Sequence, residues 1–400
     1  MFSLLRDKRF RLLWLGQICS QSGDRLTQLV LVALVATRSA GSTLTLAKVL
    51  AATSLPGLLV SPFAGVYVDR WDRKKTMIIC DLIRAGLILV LPWLVLRGNV
   101  LPLYGAVFGL FSVACFFVPA RLSMIPDVVP AGQLARANAL FTSSGMIGST
   151  LILLLGGLLV EAIGASKSCL VTSASYLLSA VFITPIVRQK KISSSGSRAT
   201  TGKIFREVGE GIRELWRHPS TRRVAGLLFI LMAGAGASMV VSTVLVQQLL
   251  GTLTRDLGFL SLWVGVGMLV GSIVYGRWGI KKSRKHVLGV SFFGCGVAFW
   301  FFVGAVMGLR SGVAASAAAA LLGFWIAPVG IVANTLVHEA HPERLHGRIF
   351  SSLGVVVNLS LIGSMLIAGW LTEAGGRGLF LSVLGGIFVL GGIVLARRRA

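Results

Sequence analysis

The sequence predicts an all-α membrane protein with twelve transmembrane helices in two six-helix bundles related by a pseudo-twofold axis. Three observations support this fold class. The 400 residues are 55% apolar and only 13% charged, with a mean hydropathy of +0.83, whereas soluble domains carry about 25% charged residues. The apolar residues fall into membrane-length stretches, and the two halves of the chain repeat each other. This composition excludes an ordinary soluble enzyme.

Twelve apolar stretches predict the twelve helices, because about 20 apolar residues cross a bilayer as an α-helix. A β-barrel would instead show segments of about ten residues with strict alternation, and these stretches are apolar on every face. They divide six and six around a polar gap, at residues 12–36, 44–68, 76–96, 100–120, 138–160 and 168–187, then 224–250, 257–279, 286–308, 313–336, 348–372 and 378–396.

The net charge of +25 would suggest nucleic-acid binding in a soluble protein, but the basic residues follow the membrane topology. Of the 39 Lys and Arg residues, 30 lie in the set of loops that includes both termini, and 7 lie in the opposite set. Arg121 and Arg136 belong to the loop after the fourth stretch in this count. Because cytoplasmic loops are enriched in Lys and Arg, we expect both termini in the cytoplasm, contact with the lipid bilayer and no nucleic-acid partner.

The polar gap predicts a cytoplasmic linker at 188–223 between an N-terminal bundle at 1–187 and a C-terminal bundle at 224–400. Its first part is rich in serine, which is typical of a flexible linker. Apolar residues then recur at helical spacing over 204–216 among arginines. This pattern favours an amphipathic helix on the inner membrane surface, with a protein-docking helix as the alternative.

Internal repeats indicate that the two halves are copies. Glu161 and Glu373 close the fifth and eleventh stretches 212 residues apart, and Gly65 and Gly276 precede equivalent basic loops 211 residues apart. Parallel six-span repeats joined by a cytoplasmic linker are typical of transporters whose substrate path lies between the two bundles near the midplane. Nothing in the sequence resembles the selectivity filter of a channel.

The loop after the second stretch resembles the signature loop of the major facilitator superfamily, G-x-x-x-D-R/K-x-G-R-R/K-R/K. It reads Gly65-Val66-Tyr67-Val68-Asp69-Arg70-Trp71-Asp72-Arg73-Lys74-Lys75, with Asp72 where the pattern has glycine. The stretches 13–24 and 117–140 are similar to the branch that holds macrolide-efflux and enterobactin-exporter proteins. This resemblance implies the major facilitator fold and drug:proton antiport. The fourth stretch lacks the mid-membrane arginine of many proton-coupled relatives, and the fifth lacks their Gly-Pro pair.

The resemblance implies a cytoplasmic gate around Asp69, whose carboxylate opposes the negative end of its own helix dipole and needs a partner. By the family pattern, Asp69 pairs with Arg73 and latches the cytoplasmic side closed. Asp81 and Arg84 are three residues apart, meet on one helix face and are expected to join this cluster. The alternative is that the basic residues only fix the orientation in the membrane. The predicted gate comprises Gly65, Asp69, Arg70, Arg73, Lys74, Asp81 and Arg84.

Asp24 and Arg25 lie near the middle of the first stretch, where each charge costs about 2.5–3.5 kcal/mol on insertion scales. At least one of them is therefore expected to line a cavity, together with Gln17, Gln21 and Gln28 on the polar side of the same helix. Asp24 is a candidate to bind a proton and a cationic substrate alternately. The alternative is a structural ion pair that holds the first helix against a neighbour.

The predicted function is secondary active transport, with proton-coupled efflux of a small amphiphilic solute, drug-like or siderophore-like, from a bacterial cytoplasmic membrane by a monomer. No nucleotide-binding G-x-x-x-x-G-K-S/T loop or metal-ligand spacing is present in the sequence, so no cofactor or metal is expected, and protons are the expected coupling ion. The alternatives are a lysophospholipid flippase or facilitator on the same fold, a non-transporting membrane receptor, and a membrane-embedded enzyme. The few ionisable groups within the stretches argue against the enzyme.

Overall fold

The computed structural model describes residues 2–68, 70–97, 100–187, 213, 219–279, 283–340 and 343–397, and these ranges contain helices and no strand. The helices of the first half are α1 (Lys8–Arg38), α2 (Thr43–Leu59), α3 (Ser61–Val68), α4 (Arg73–Leu96), α5 (Val100–Val128), α6 (Leu134–Ile163) and α7 (Ala165–Ile183). Those of the second half are α8 (Pro219–Leu250), α9 (Arg255–Val274), α10 (Arg284–Val303), α11 (Gly312–Ala340), α12 (Glu343–Leu371) and α13 (Arg377–Arg397).

A helix lies in each of the twelve predicted stretches, which confirms the all-α prediction. Within the described ranges, ten helices are long and apolar enough to cross a membrane. The first two predicted stretches are not among these ten. The first forms α1, which carries Asp24 and Arg25, and the second is divided into α2 and α3 at Val60. Pro62 explains the division, because a proline is favoured in the first turn of a helix and disrupts a helix interior.

The chain separates into two compact units. The first unit comprises Met1–Arg38 and Ala52–Arg206, and the second comprises Ser39–Ala51 and Glu207–Ala400. Residues 39–51 group with the second unit because Glu373 accepts hydrogen bonds from Ser42 Oγ and Leu44 N, each at 2.7 Å. Of the predicted linker 188–223, only 213 and 219–223 lie among the described residues, so the linker and its amphipathic helix stay predictions.

The two units contain the same helix pairings. In the first unit α1 packs on α6 and α7, α4 packs on α5 and α7, and α3 packs on α5. In the second unit α8 packs on α12 and α13, α10 packs on α11 and α13, and α9 packs on α11. Gly267 and Gly271 of α9 lie directly against the α11 backbone at Ala320 and Phe324, as small residues allow between membrane helices. These shared pairings are the ones expected if the two halves of the chain are copies.

Candidate functional site

A buried polar cluster lies inside the first unit, where α1, α4 and α7 meet. We call it the Arg84 cluster, after the guanidinium at its centre, and its members are Ser20, Asp24, Asp81, Arg84, Tyr176 and Ser179. Arg84 and Asp81 are completely buried, and the Asp24 side chain is 35% exposed. Charged groups in an apolar span are usually paired with one another or face a cavity, and in this cluster they are paired, with Asp24 partly exposed.

Local sequence spacing brings the members together. Ser20, Asp24 and Thr27 share one face of α1, since residues three or four apart are neighbours on a helix. Gly23 lies on the same face and leaves room for the Tyr176 ring, because a Cβ at Gly23 would come within 2.7 Å of Tyr176 Cε1. The glycine therefore allows α7 to bring its tyrosine hydroxyl to Asp24.

Arg84 divides its hydrogen bonds between two helices, α1 and its own helix α4. Nη1 donates to Asp24 Oδ1 at 2.8 Å, and Nη2 donates to Ser20 Oγ at 2.9 Å and to the Asp81 carboxylate. Its Nε donates to the backbone oxygen of Cys80 at 3.3 Å. The guanidinium carbon also lies 4.7 Å from the Phe117 ring centroid and 4.6 Å from the Tyr176 ring centroid. Aromatic faces attract cations, so the two rings help to stabilise the buried charge.

The two aspartates of the cluster differ in how fully they are bonded. Asp81 accepts from Ser20 Oγ at 3.1 Å and from Ser179 Oγ at 2.6 Å, so both of its oxygens are occupied. Asp24 accepts from Arg84 Nη1 at 2.8 Å and from the Tyr176 hydroxyl at 2.9 Å, and both bonds end on Oδ1. Among the described residues Oδ2 of Asp24 has no hydrogen-bond partner. Asp24 is therefore the open acid of the cluster, and Asp81 is the structural one.

The other predicted cavity residues lie apart from these bonds. Arg25 Nη1 donates to Gln28 Oε1 at 3.1 Å along the α1 surface. Gln17 is buried, and its Nε2 donates to the Phe141 backbone oxygen at 3.3 Å. Gln21 also faces α6, where a Cβ on Gly145 would lie 3.1 Å from its Oε1. Of the five predicted residues, the structure places only Asp24 in the Arg84 cluster.

The predicted cytoplasmic gate is only partly visible, because Asp69 lies outside the described residues. Arg73 Nη1 donates to the Ser123 backbone oxygen at 2.7 Å and forms an ion pair with buried Asp127 at 3.2 Å. Asp72 begins α4 as its N-cap, with φ −69° and a side chain that accepts from Lys75 N at 2.9 Å. An aspartate therefore suits this position, where the family pattern has glycine, and no left-handed backbone is needed.

The remaining gate residues separate into two groups. Gly65 and Lys74 are half-buried, and Arg70 is exposed in the turn that precedes α4. Asp81 and Arg84 pair with each other, as their spacing predicts, but their other partners are on α1 and α7. Because α4 begins at Arg73, these two residues lie about two and three turns inside the helix. The structure therefore assigns them to the Arg84 cluster, and the latch at Asp69 stays a prediction.

Sequence reasoning missed two residues at or near the Arg84 cluster, Arg121 and Tyr176, and one in the gate region, Asp127. Arg121 was placed in a loop, but α5 continues to Val128 through Pro119 and Pro126. The structure therefore places Arg121 within the helix of the fourth span and not in the loop that follows it. Tyr176 carried a usable signal, as one of only four tyrosines within an apolar stretch. Asp127 carried a weaker one, as an acid that directly follows an apolar run.

Comparison with known proteins agrees with the fold and places the chain in a family. Residues 13–260 match the family model described as the Major Facilitator Superfamily. The multidrug efflux pump Tap of Mycolicibacterium fortuitum is 24% identical over 84% of this chain and 82% of its own length. Macrolide efflux protein A of Streptococcus pyogenes is 25% identical over 90% of this chain and 88% of its own length.

A solved structure shows the same fold at lower identity. The crystal structure of the POT family transporter PepTSo has a TM-score of 0.70 and 14% identity, with 98% of this chain and 97% of that chain covered. The resemblance in the signature loop after the second stretch is thus confirmed by a match that spans well over half of the sequence. The chain belongs to the major facilitator superfamily of membrane transporters.

Proposed function

We propose that this transporter exports a small amphiphilic solute across the bacterial cytoplasmic membrane in exchange for protons, by alternating access, with both termini in the cytoplasm. Relatives that are named as efflux proteins support the direction of transport. The excess of basic residues in one set of loops supports the orientation. Protons are the proposed coupling ion because the first unit holds a partly exposed acid within a span.

The observation that carries this proposal is the state of Asp24. The Arg84 cluster contains two carboxylates and one guanidinium, so it has one negative charge in excess when both acids are ionised. Asp81 is completely buried with both oxygens bonded, whereas Asp24 is 35% exposed with Oδ2 available. A proton or a cationic group that binds to Asp24 would neutralise the excess charge, which is costly in an apolar environment. Asp24 is therefore the proposed site where the two compete.

The geometry suggests how protonation would act on the helices. Asp24 links α1 to Arg84 of α4 and to Tyr176 of α7 through hydrogen bonds of 2.8 and 2.9 Å. A charged hydrogen bond is about twice as strong as a neutral one. A proton on Asp24 would weaken both links at once. In this proposal α1 is then free to shift relative to α4 and α7, which couples proton binding to the change of access.

Transport by everted membrane vesicles tests the proposal, with an imposed pH gradient and ethidium as the fluorescent cation. We expect gradient-driven ethidium uptake by the wild-type protein and none by Asp24→Asn, which keeps the shape of the side chain but cannot exchange a proton. Asp256→Asn at the start of α9 is the matched control, because it changes an acid outside the Arg84 cluster, and it should retain transport.

Three results would contradict the proposal in different ways. Full proton coupling in Asp24→Asn would exclude Asp24 as the proton site. Movement of ethidium down its own gradient, without any response to pH, would indicate a facilitator. Failure to move ethidium or a panel of lysophospholipids and drugs, by protein shown to be folded, would favour a receptor.

A further inference from the structure

Arg121 is a charged residue near the candidate site that the Arg84 cluster does not use. It lies on α5 one turn beyond Phe117, whose ring stacks on Arg84, and so shares the helix face directed at the cluster. The Phe117 ring centroid lies 4.7 Å from the guanidinium carbon of Arg84, which in turn donates to Asp24. Within the described part of the chain, however, Arg121 forms no ion pair, and its Nε is a buried donor without a hydrogen-bond partner.

An unsatisfied guanidinium donor in an apolar span is costly and points to a ligand that completes it. Arg84 already makes four hydrogen bonds to the protein, so it has little capacity left for a solute. Arg121 retains its planar set of N–H donors, which matches the two oxygens of a carboxylate. An acceptor of this kind is therefore the expected partner of Arg121.

Asp24 supplies a second open group, within the Arg84 cluster itself. Oδ2 of Asp24 has no partner among the residues that the structure describes, and this carboxylate is partly exposed. A free acid oxygen and a free guanidinium are complementary to a molecule that carries both charges. We propose that Arg121 is an oxyanion subsite, and that the exported solute is a zwitterion whose carboxylate binds Arg121 while its ammonium group binds Asp24. This inference rests on the proposed function and names its substrate class.

Three fluorescent probes separate the two charges. Nε-dansyl-lysine is a zwitterion, dansylcadaverine is the same molecule without the carboxylate, and dansyl-aminohexanoate is the same molecule without the amine. Binding is measured by dansyl fluorescence on the purified full-length protein in detergent. A charge-assisted hydrogen bond made in an apolar site predicts that the wild-type protein binds dansyl-lysine about tenfold or more tightly than dansylcadaverine.

The variants assign this preference to one side chain. Arg121→Gln should lose the preference for dansyl-lysine and keep its affinity for dansylcadaverine. Arg121→Lys should retain part of the preference, since it keeps a charge without the planar fork, and it also tests whether a change at this position is tolerated. Arg136→Gln, an exposed arginine at the start of α6, is the matched control and should behave as wild type. Gel filtration verifies that each variant is folded.

The outcomes distinguish this inference from the export proposal. The subsite would be overturned if the ratio of the affinities for dansyl-lysine and dansylcadaverine were the same in the wild type and in Arg121→Gln. It would also be overturned if the wild type did not bind dansyl-lysine. Gradient-driven ethidium transport together with equal ratios would overturn the subsite alone. A ratio that depends on Arg121 in a protein without gradient-driven transport would leave the subsite in place and contradict proton-coupled export.

Discussion

The two units share one helix-packing pattern, but its centre is polar in the first unit and apolar in the second. In the first unit the packed helices enclose the buried charges of Asp81 and Arg84, which contact Ser20 and Tyr176. The positions 211 residues later are Leu231, Phe292 and Cys295, and Phe388 lies 212 residues after Tyr176. All four of these second-unit residues are buried in a single apolar cluster. The repeat therefore contains a polar copy and an apolar copy of the same site.

Glycine and aromatic residues form the shared part of the pattern. The Tyr176 ring lies against Gly23, and the Phe388 ring lies against Gly234, so closely that an added Cβ would meet either ring. In the second unit the ring centroids of Phe388 and Phe292 are 5.4 Å apart and the rings are stacked. Phe292 is the sequence equivalent of Asp81 in the first unit. Because charge is costly within a membrane, its presence in one copy supports the functional role that we propose for the first unit, and we expect the equivalent part of the second unit to be structural.

Removal of the central cation should have the largest effect on stability. Arg84→Leu leaves Asp24 and Asp81 without their shared counter-ion, and breaking a buried ion pair costs about 3–5 kcal/mol. We expect a clearly lower thermal unfolding midpoint in detergent. The double variant Asp81→Phe, Arg84→Cys copies the second-unit residues Phe292 and Cys295 and should recover part of the loss. An unchanged midpoint in Arg84→Leu would show that the Arg84 cluster does not contribute to the stability of the folded protein.

The glycine pair tests whether the two copies differ in function. Gly23→Ala and Gly234→Ala each force a ring to move, which costs about 1–3 kcal/mol for an overpacked site. Gly23→Ala should also reduce gradient-driven transport per folded molecule, because it displaces the Tyr176 hydroxyl from Asp24, and Gly234→Ala should not. Gly148→Ala is the control, since nothing lies within 4 Å of its added Cβ. Equal transport losses at Gly23 and Gly234 would refute the division of roles.

The smallest effect is expected from the tyrosine hydroxyl. Tyr176→Phe gives the first unit the side chain that the second unit has at Phe388, and removes hydrogen bonds of 2.9 Å to Asp24 and 3.0 Å to Thr27. We expect a loss of about 1 kcal/mol in stability and a partial reduction of transport. Tyr104→Phe, on α5 outside the cluster, should change neither property. Wild-type transport by Tyr176→Phe would show that the hydroxyl does not position Asp24.

The helices could be predicted from the sequence because each is marked by an apolar stretch long enough to cross a membrane. Each predicted stretch contains a helix in the structure. Pairing between Asp81 and Arg84 also followed from spacing alone, since both lie on one helix face. The bond from Arg84 to Asp24 joins residues 60 positions apart, so it depends on how α1 packs on α4. Arg121 was missed because an apolar stretch ends at the first charge, whereas the hydrogen bonds of α5 continue through it.

The central claim is that Asp24 exchanges a proton within the first unit, and infrared difference spectroscopy tests it without knowledge of the substrate. The purified protein is subjected to a change of pH in detergent, and the carbonyl band of a protonated carboxylic acid is followed. We predict a pH-dependent band in the wild type that disappears in Asp24→Asn and persists in the control Asp256→Asn. A band that survives unchanged in Asp24→Asn, or one that is absent from the wild type, would contradict the claim.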